Sequence, residues 1–187
     1  MYDSGEGIPQ DYSEAEKWMR CAAEEGFARA QSDLGGKYRT GRGLKQDHQQ
    51  AIFWLSKAAQ QGFAQAQYNL GEMYLYGEGV QLDSDKALHW FLKAAEQGIP
   101  EAMSNAGTML FTGVDVKQDF AQAFFWLKKA ADHGDTTAMV NLGQMYELGA
   151  GMRRDIAIAR ELYKFASDHG SEYGTTNLER LSAALNP

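Results

Sequence analysis

The sequence predicts an all-α protein, a solenoid of helix-turn-helix units that recur every 36 residues. Three observations carry this prediction. Gly26, Gly62, Gly98, Gly134 and Gly170 keep that step, as do Asp11, Asp47, Asp83, Asp119 and Asp155. Trp18, Trp54, Trp90 and Trp126 keep it too, with Leu162 next in the series. Between these fixed points the apolar residues fall at helical rather than alternating spacing. A self-similar period of this length belongs to an array whose units bury their faces by stacking on their neighbours.

Taken in order, residues 1–27 form the second half of a unit. Full units cover 28–63, 64–99, 100–135 and 136–171, and a capping helix at 172–187 ends a single array. A helix over Tyr12–Glu25 follows Asp11, whose carboxylate suits an N-cap with Glu14 reaching back to it. Gly26 then stops it in the left-handed conformation. In the second full unit, Ala66, Leu70, Gly71 and Tyr74 share one face of a helix over Ala64–Tyr76. The turn GEGVQLD leads to a second helix over Ser84–Gln97, with Ala87, Trp90, Phe91, Ala94 and Ala95 inward. A mid-helix glycine such as Gly71 costs about 1 kcal/mol relative to alanine. Its repetition implies a close approach of the partner helix, expected here beneath the Trp ring. The tryptophans themselves read as core rather than as a stacking platform.

Departures from the pattern are informative. In the third full unit Ala106 replaces Leu and Leu110 replaces Tyr, and TGVDVKQD stands for the Gly-x-Gly turn. Asp115 there occupies the place of Gly43, Gly79 and Gly151, where positive φ would strain it. In the last helix Glu179 replaces the mid-helix Gly and Ser182 the Tyr, which suits a face that meets water. At the other end, the helix that carries Trp18 has no preceding first helix. An exposed edge able to pair, or an array that continues upstream, is expected. Met1-Tyr2 falls in register with Met73-Tyr74 and Met145-Tyr146, so the sequence opens at the end of a first helix.

Composition narrows the function classes. The formal net charge is −7, with no dense basic run, so the clustered cations a nucleic-acid partner requires are missing. Cys21 is the only cysteine and forms no disulfide within the chain. No apolar run is long enough for a transmembrane segment, and no basic-then-apolar leader opens the sequence. His133 and His169 stand one unit apart, each before a closing glycine, too far apart to share a metal and well placed to meet the last helix carbonyls. The GRG, GEG and GAG turns lack the preceding strand and following Lys-Ser/Thr pair of a phosphate loop. No strained Gly-x-Ser-x-Gly elbow occurs. No cofactor, metal or catalytic group is expected.

The run AQAQYNLGEMYLYGEGVQLDSDKALHWFLKAAEQG, from Ala64 to Gly98, resembles the Sel-one-like repeat, a branch of the tetratricopeptide-type helix-pair solenoids. The likeness covers essentially the whole chain in near-regular copies. It implies a right-handed αα-superhelix with the first helices lining the concave side. It also implies a non-catalytic scaffold or adaptor in bacterial envelope, signalling or host-interaction systems, or in eukaryotic protein quality control. The paired cysteines of a branch reported to bind penicillin-type compounds are absent.

Binding specificity should reside where the copies differ. On the expected concave face, Tyr68, Glu72, Leu75, Tyr76, Phe111, Val140, Gln144 and Leu148 form an apolar and aromatic stretch with polar residues among it. A protein or peptide partner would use such a groove; the other reading is that several of these side chains pack between first helices. Asn69, Asn105, Asn141 and Asn177 keep the unit step, with Asp33 first. They are a ladder for peptide main chain or, the favoured reading, bonds to the backbone of a neighbouring unit. Two functions remain beside the scaffold: binding of cell-wall or exopolysaccharide glycans, and an envelope hydrolase.

Overall fold

The computed structural model describes residues 12–185. Ten helices follow one another there: α1 (Tyr12–Glu24), α2 (Ala28–Thr40), α3 (His48–Gln60), α4 (Ala64–Tyr76), α5 (Ser84–Glu96), α6 (Pro100–Thr112), α7 (Phe120–Asp132), α8 (Thr136–Leu148), α9 (Ile156–Asp168) and α10 (Glu172–Leu185). Among the described residues there is no strand. The first nine helices are 13 residues each, or ~20 Å long. The expected cap at Asp11, the loop before it and the side chain of Glu14 lie outside the described residues.

Two compact units divide the chain at Ala94 and Ala95. In the first, α1 to α4 pack consecutively and α2 also touches α4. In the second, α6 to α10 do the same, with α6 against α8 and α8 against α10. First helices of adjacent repeats therefore meet directly and share one side of each unit, the expected inner face.

The turn between first and second helices explains the recurring aspartates. Each closes the turn by donating its own N–H to a carbonyl of the first helix: Asp47 to Tyr38, Asp83 to Tyr74, Asp119 to Leu110 and Asp155 to Tyr146, at 2.9–3.0 Å. Each side chain then accepts from the opening amides of the second helix, Asp47 from Gln49 and Gln50, Asp83 from Lys86, Asp119 from Gln122, and Asp155 from Ala157 and Ile158. One residue type thus serves both elements. Seven positions after Arg39, Phe111 and Glu147, the side chains of Gln46, Gln118 and Arg154 donate to those residues' carbonyls at 2.7–2.8 Å. The two histidines before the closing glycines behave as expected: Nδ1 of His133 lies 2.8 Å from the Lys129 carbonyl, and that of His169 lies 2.8 Å from the Phe165 carbonyl.

The mid-helix glycines admit a close approach, but not by tryptophan. A Cβ on Gly35 would stand 2.7 Å from Leu55, on Gly71 2.7 Å from the Phe91 ring, on Gly107 2.7 Å from Leu127, and on Gly143 2.5 Å from the Tyr163 ring. The residue lodged there is the one after Trp in each unit, and after Leu162 in the last. Consecutive helix residues point about 100° apart, so the ring one position earlier faces elsewhere. Trp54 packs with Ala23 and Leu34 from the preceding helix pair. Trp54 and Trp126 are buried, Trp90 is half-buried, and Trp18 is 64% exposed.

Asp115 is the sole non-glycine residue with positive φ among the described residues, at 57°. That region disfavours a side chain with a Cβ. Asp115→Gly is expected to stabilise the protein by about 0.5–1 kcal/mol, read as a higher urea midpoint with an unchanged slope.

Candidate interaction face

On the inner face of the first unit, charge is spent on joining repeats. Arg39, at the end of α2, reaches the next repeat: Nη1 lies 2.6 Å from Glu72 Oε2, Nε 2.6 Å from Glu78 Oε2 and Nη2 3.1 Å from Glu78 Oε1. Its side chain is only 16% exposed. Tyr68 donates its hydroxyl to the other Glu72 oxygen at 2.8 Å. The hydrogen bonds to Glu78 and then Glu72 drive the Arg39 pKa up against the opposing effect of burial. The bond from Arg39 holds the Glu78 carboxyl below its usual value. Tyr68 and Glu72, expected as partner-binding groups, are therefore half-buried parts of this joint. Leu75 is half-buried, and Tyr76 is exposed at the helix end.

The second unit repeats this joint with its signs exchanged. Glu147 occupies the place of Arg39, and Arg180 stands 33 residues on, as Glu72 does from Arg39. Arg180 Nη1 and Nη2 meet the two Glu147 oxygens at 2.8 and 2.7 Å. Tyr163, fully buried, donates its hydroxyl to Glu147 Oε2 at 2.9 Å. The bond to Arg180, joined by that from Tyr163, holds the Glu147 carboxyl below its usual value. Burial, with the nearby carboxylate, pushes the Tyr163 phenol up. Sequence reading missed this pair, although two oppositely charged pairs at matching positions were a legible signal.

Between α6, α8 and the start of α10 the inner face of the second unit opens into a pocket of about 280 Å³. Val140, Asn141 and Gln144 of the expected set line it, with Thr108 and Tyr173. Val140 is buried and supplies the floor. Asn141 Nδ2 donates to Thr108 Oγ1 across the repeat boundary at 2.7 Å, which leaves the amide oxygen and one N–H for other partners. Among the described residues no group bonds the Gln144 amide. Tyr173 is 77% exposed. The sequence signal for it was variation: its position holds Arg29, Gln65, Glu101 and Thr137 in the other copies.

The other expected positions differ in exposure. Phe111, expected on the exposed groove, is instead buried, with its ring centroid 6.2 Å from that of Phe120. Leu148 is 71% exposed beyond the pocket, and Asn105 is half-buried. The asparagines share no single role: Asn69 accepts from Gln65, Asn141 donates to a threonine hydroxyl of the neighbouring repeat, and Asn177 donates to the Tyr173 carbonyl of its own helix. The expected bond to a neighbouring backbone is not the one they make. Among the described residues no group of His, Cys, Asp and Glu side chains is arranged to hold a metal, and no helix is long and apolar enough to cross a membrane.

A family model of the Sel1 repeat matches residues 1–27, 28–63, 64–99, 100–135 and 136–171. Comparison with curated proteins returns no match. Among solved structures, a protective antigen present in uropathogenic Escherichia coli strains, displaying an SLR fold, is 39% identical with a TM-score of 0.88 over 95% of this chain. A Sel1 repeat protein from Oxalobacter formigenes is 35% identical, with a TM-score of 0.79 over 95% of the chain. A putative Sel1 repeat protein from Klebsiella pneumoniae subsp. pneumoniae is 27% identical, with a TM-score of 0.55 over 82%. The chain spans 38% of the Escherichia coli antigen and 73% of each of the other two.

Proposed function

Because the chain belongs to the Sel1 repeat family, a family of helical repeat solenoids that generally serve as scaffolds for protein interaction, we propose that it is a scaffold or adaptor that holds a protein or peptide segment on the inner face of its second unit. One observation carries this reading: the pocket of Val140, Asn141, Gln144 and Tyr173 pairs a buried apolar floor with amides not fully used within the chain. Side-chain amides offer both a donor and an acceptor, which is what the N–H and C=O of an extended main chain require. The exposed Tyr173 ring adds an apolar wall with little rotamer entropy to lose. The inner face of the first unit, by contrast, has its best-placed charges tied to one another. Membership in the family fits a non-catalytic role.

Pull-down with identification of the retained protein, followed by a binding titration, tests the proposal. Tyr173→Ala and Gln144→Ala change side chains outside the core, so thermal unfolding should be unaltered, while affinity for the retained partner falls about tenfold. The neutral rim beside an exposed aromatic ring also fits a cell-wall or exopolysaccharide glycan. Saturable glycan binding that is lost in Tyr173→Ala, with no protein retained, would replace the first reading by the second.

A further inference from the structure

In each unit a turn glycine lies against the start of an earlier second helix, and the two approaches differ in what surrounds them. In the first unit a Cβ on Gly79 would collide with His48 Cβ. Beside that approach Gln49 Nε2 donates to the Gly79 carbonyl at 2.7 Å, and the Lys86 ammonium lies 5.3 Å from the centre of the Tyr74 ring. An amide bridge thus serves the turn carbonyl, and a cation covers the ring. In the second unit the approach recurs: a Cβ on Gly151 would stand 2.5 Å from Phe120 Cβ. Two repeats on from Gln49 and Lys86, however, stand Ala121 and Ile158. Alanine cannot reach the Gly151 carbonyl, and isoleucine brings no charge to the Tyr146 ring.

An open groove of about 560 Å³ results. Its floor is the pair Phe124 and Tyr146, edge to face with centroids 6.0 Å apart and planes at 80°. Phe120 and Met152 wall it, and Arg153 stands on the rim. Arg153 is exposed and, among the described residues, has no carboxylate partner. The nearest acid in sequence, Asp155, has its carboxylate on the amides of Ala157 and Ile158, while Arg154 beside it bonds the Glu147 carbonyl. A bare aromatic floor, an unserved carbonyl and an unpaired guanidinium thus converge in a chain whose net charge is −7.

We propose that this groove is a second binding site, separate from the inner face, for a protein segment with a large aromatic or aliphatic side chain next to an acidic residue. The apolar side chain covers Phe124 and Tyr146, taking the place of the lid that Lys86 forms in the first unit. The carboxylate pairs with Arg153, where planar bidentate contact favours arginine. A main-chain N–H of the segment takes the Gly151 carbonyl, as Gln49 takes that of Gly79.

Ala121→Gln tests this by restoring the bridge of the first unit, so it fills the groove without removing a contact. Phage-displayed random peptides are selected on the whole chain. The winners are then synthesised and titrated by fluorescence polarisation against wild type, Ala121→Gln and Arg153→Glu. A set of peptides that share an aromatic or aliphatic residue beside Asp or Glu is expected, each binding both variants about tenfold more weakly or worse. Ala121→Gln should unfold at or above the wild-type temperature, so the loss is not one of folding. If selection yields no peptide, or every selected peptide binds Ala121→Gln as it binds wild type, the groove is not a site. Peptides indifferent to Ala121→Gln but weakened by Tyr173→Ala belong to the inner face; a selection yielding only those overturns the groove and leaves the inner-face reading standing.

Discussion

Trp54→Ala is expected to destabilise the first unit by about 3–5 kcal/mol, and Trp126→Ala the second by as much, whereas Trp18→Ala should cost less than ~0.5 kcal/mol. The three residues occupy one position of the repeat, so the contrast comes from surroundings alone. Trp54 and Trp126 are 6% and 7% exposed, and Trp18 is 64% exposed. Lys57 and Lys129 lie over the buried rings, 5.2 and 5.4 Å from their centres, while the corresponding place after Trp18 holds Cys21. Each cation contributes roughly 0.5–1 kcal/mol where the ring edge meets solvent. The buried indole nitrogen of Trp54 has no hydrogen-bond partner, so ring volume rather than polarity holds this residue. Trp54→Phe should therefore recover most of the loss. Urea unfolding followed by far-UV circular dichroism, which does not depend on tryptophan emission, measures all four variants. A Trp18→Ala loss equal to that of Trp54→Ala would show that the first helix is as well covered as the rest.

Glu147→Ala should cost about 2–3 kcal/mol and loosen α10 before anything else. The effect does not come chiefly from the ion pair, because the Arg180 side chain is 53% exposed and such pairs are worth ~1 kcal/mol or less. It comes from Tyr163, whose buried hydroxyl would lose its acceptor at a cost of about 1–3 kcal/mol. Arg180→Ala alone should thus be mild, and Tyr163→Phe added to Glu147→Ala should restore part of what was lost. Hydrogen exchange along α10 locates the change, and a double-mutant cycle apportions it. The pH dependence has a definite sign. The Glu147 and Glu78 carboxyls are held below their ordinary values when folded, so the folded state releases their protons more readily than the unfolded chain. Their contribution is complete above the unfolded carboxylate range and is lost as pH falls through the lower folded values. Glu147→Gln should flatten that acid limb, and a limb as steep as that of wild type would remove Glu147 from the account.

Most of the framework was legible because it is written in residues that act locally. Asp47, Asp119 and Asp155 cap from one position, Gly62 ends a helix with φ of 86°, and both follow from a repeat read against its copies. Asp115 was legible for the same reason, as a side chain where the copies have none. What spacing left undetermined was which of two adjacent side chains faces a glycine: Trp54 and Leu55 are neighbours in sequence, and only the packed helix pair shows that Leu55 fills the notch. Phe111 was misread because its burial depends on Phe120, on another helix. Tyr173 escaped because it lies in the closing helix, read as a cap, although its position varies among the copies. The joints built on Arg39 and Glu147 lie 33 residues from their partners, so they were legible only by comparing charges across copies and not from any local pattern.

Those two joints make the copies non-interchangeable. The lock that Arg39 closes on Glu72 is closed by Glu147 on Arg180, with donor and acceptor exchanged. If residues 64–99 were transplanted to follow 136–171, Glu147 would face Glu72, and two carboxylates would meet where one salt bridge belongs. If residues 28–63 were duplicated in tandem, Arg39 would face Gly36, which offers it no acid. The succession of repeats is thus inscribed in polarity, and shuffled arrays cut from this chain should vary in stability with the junctions they create even when every copy is kept.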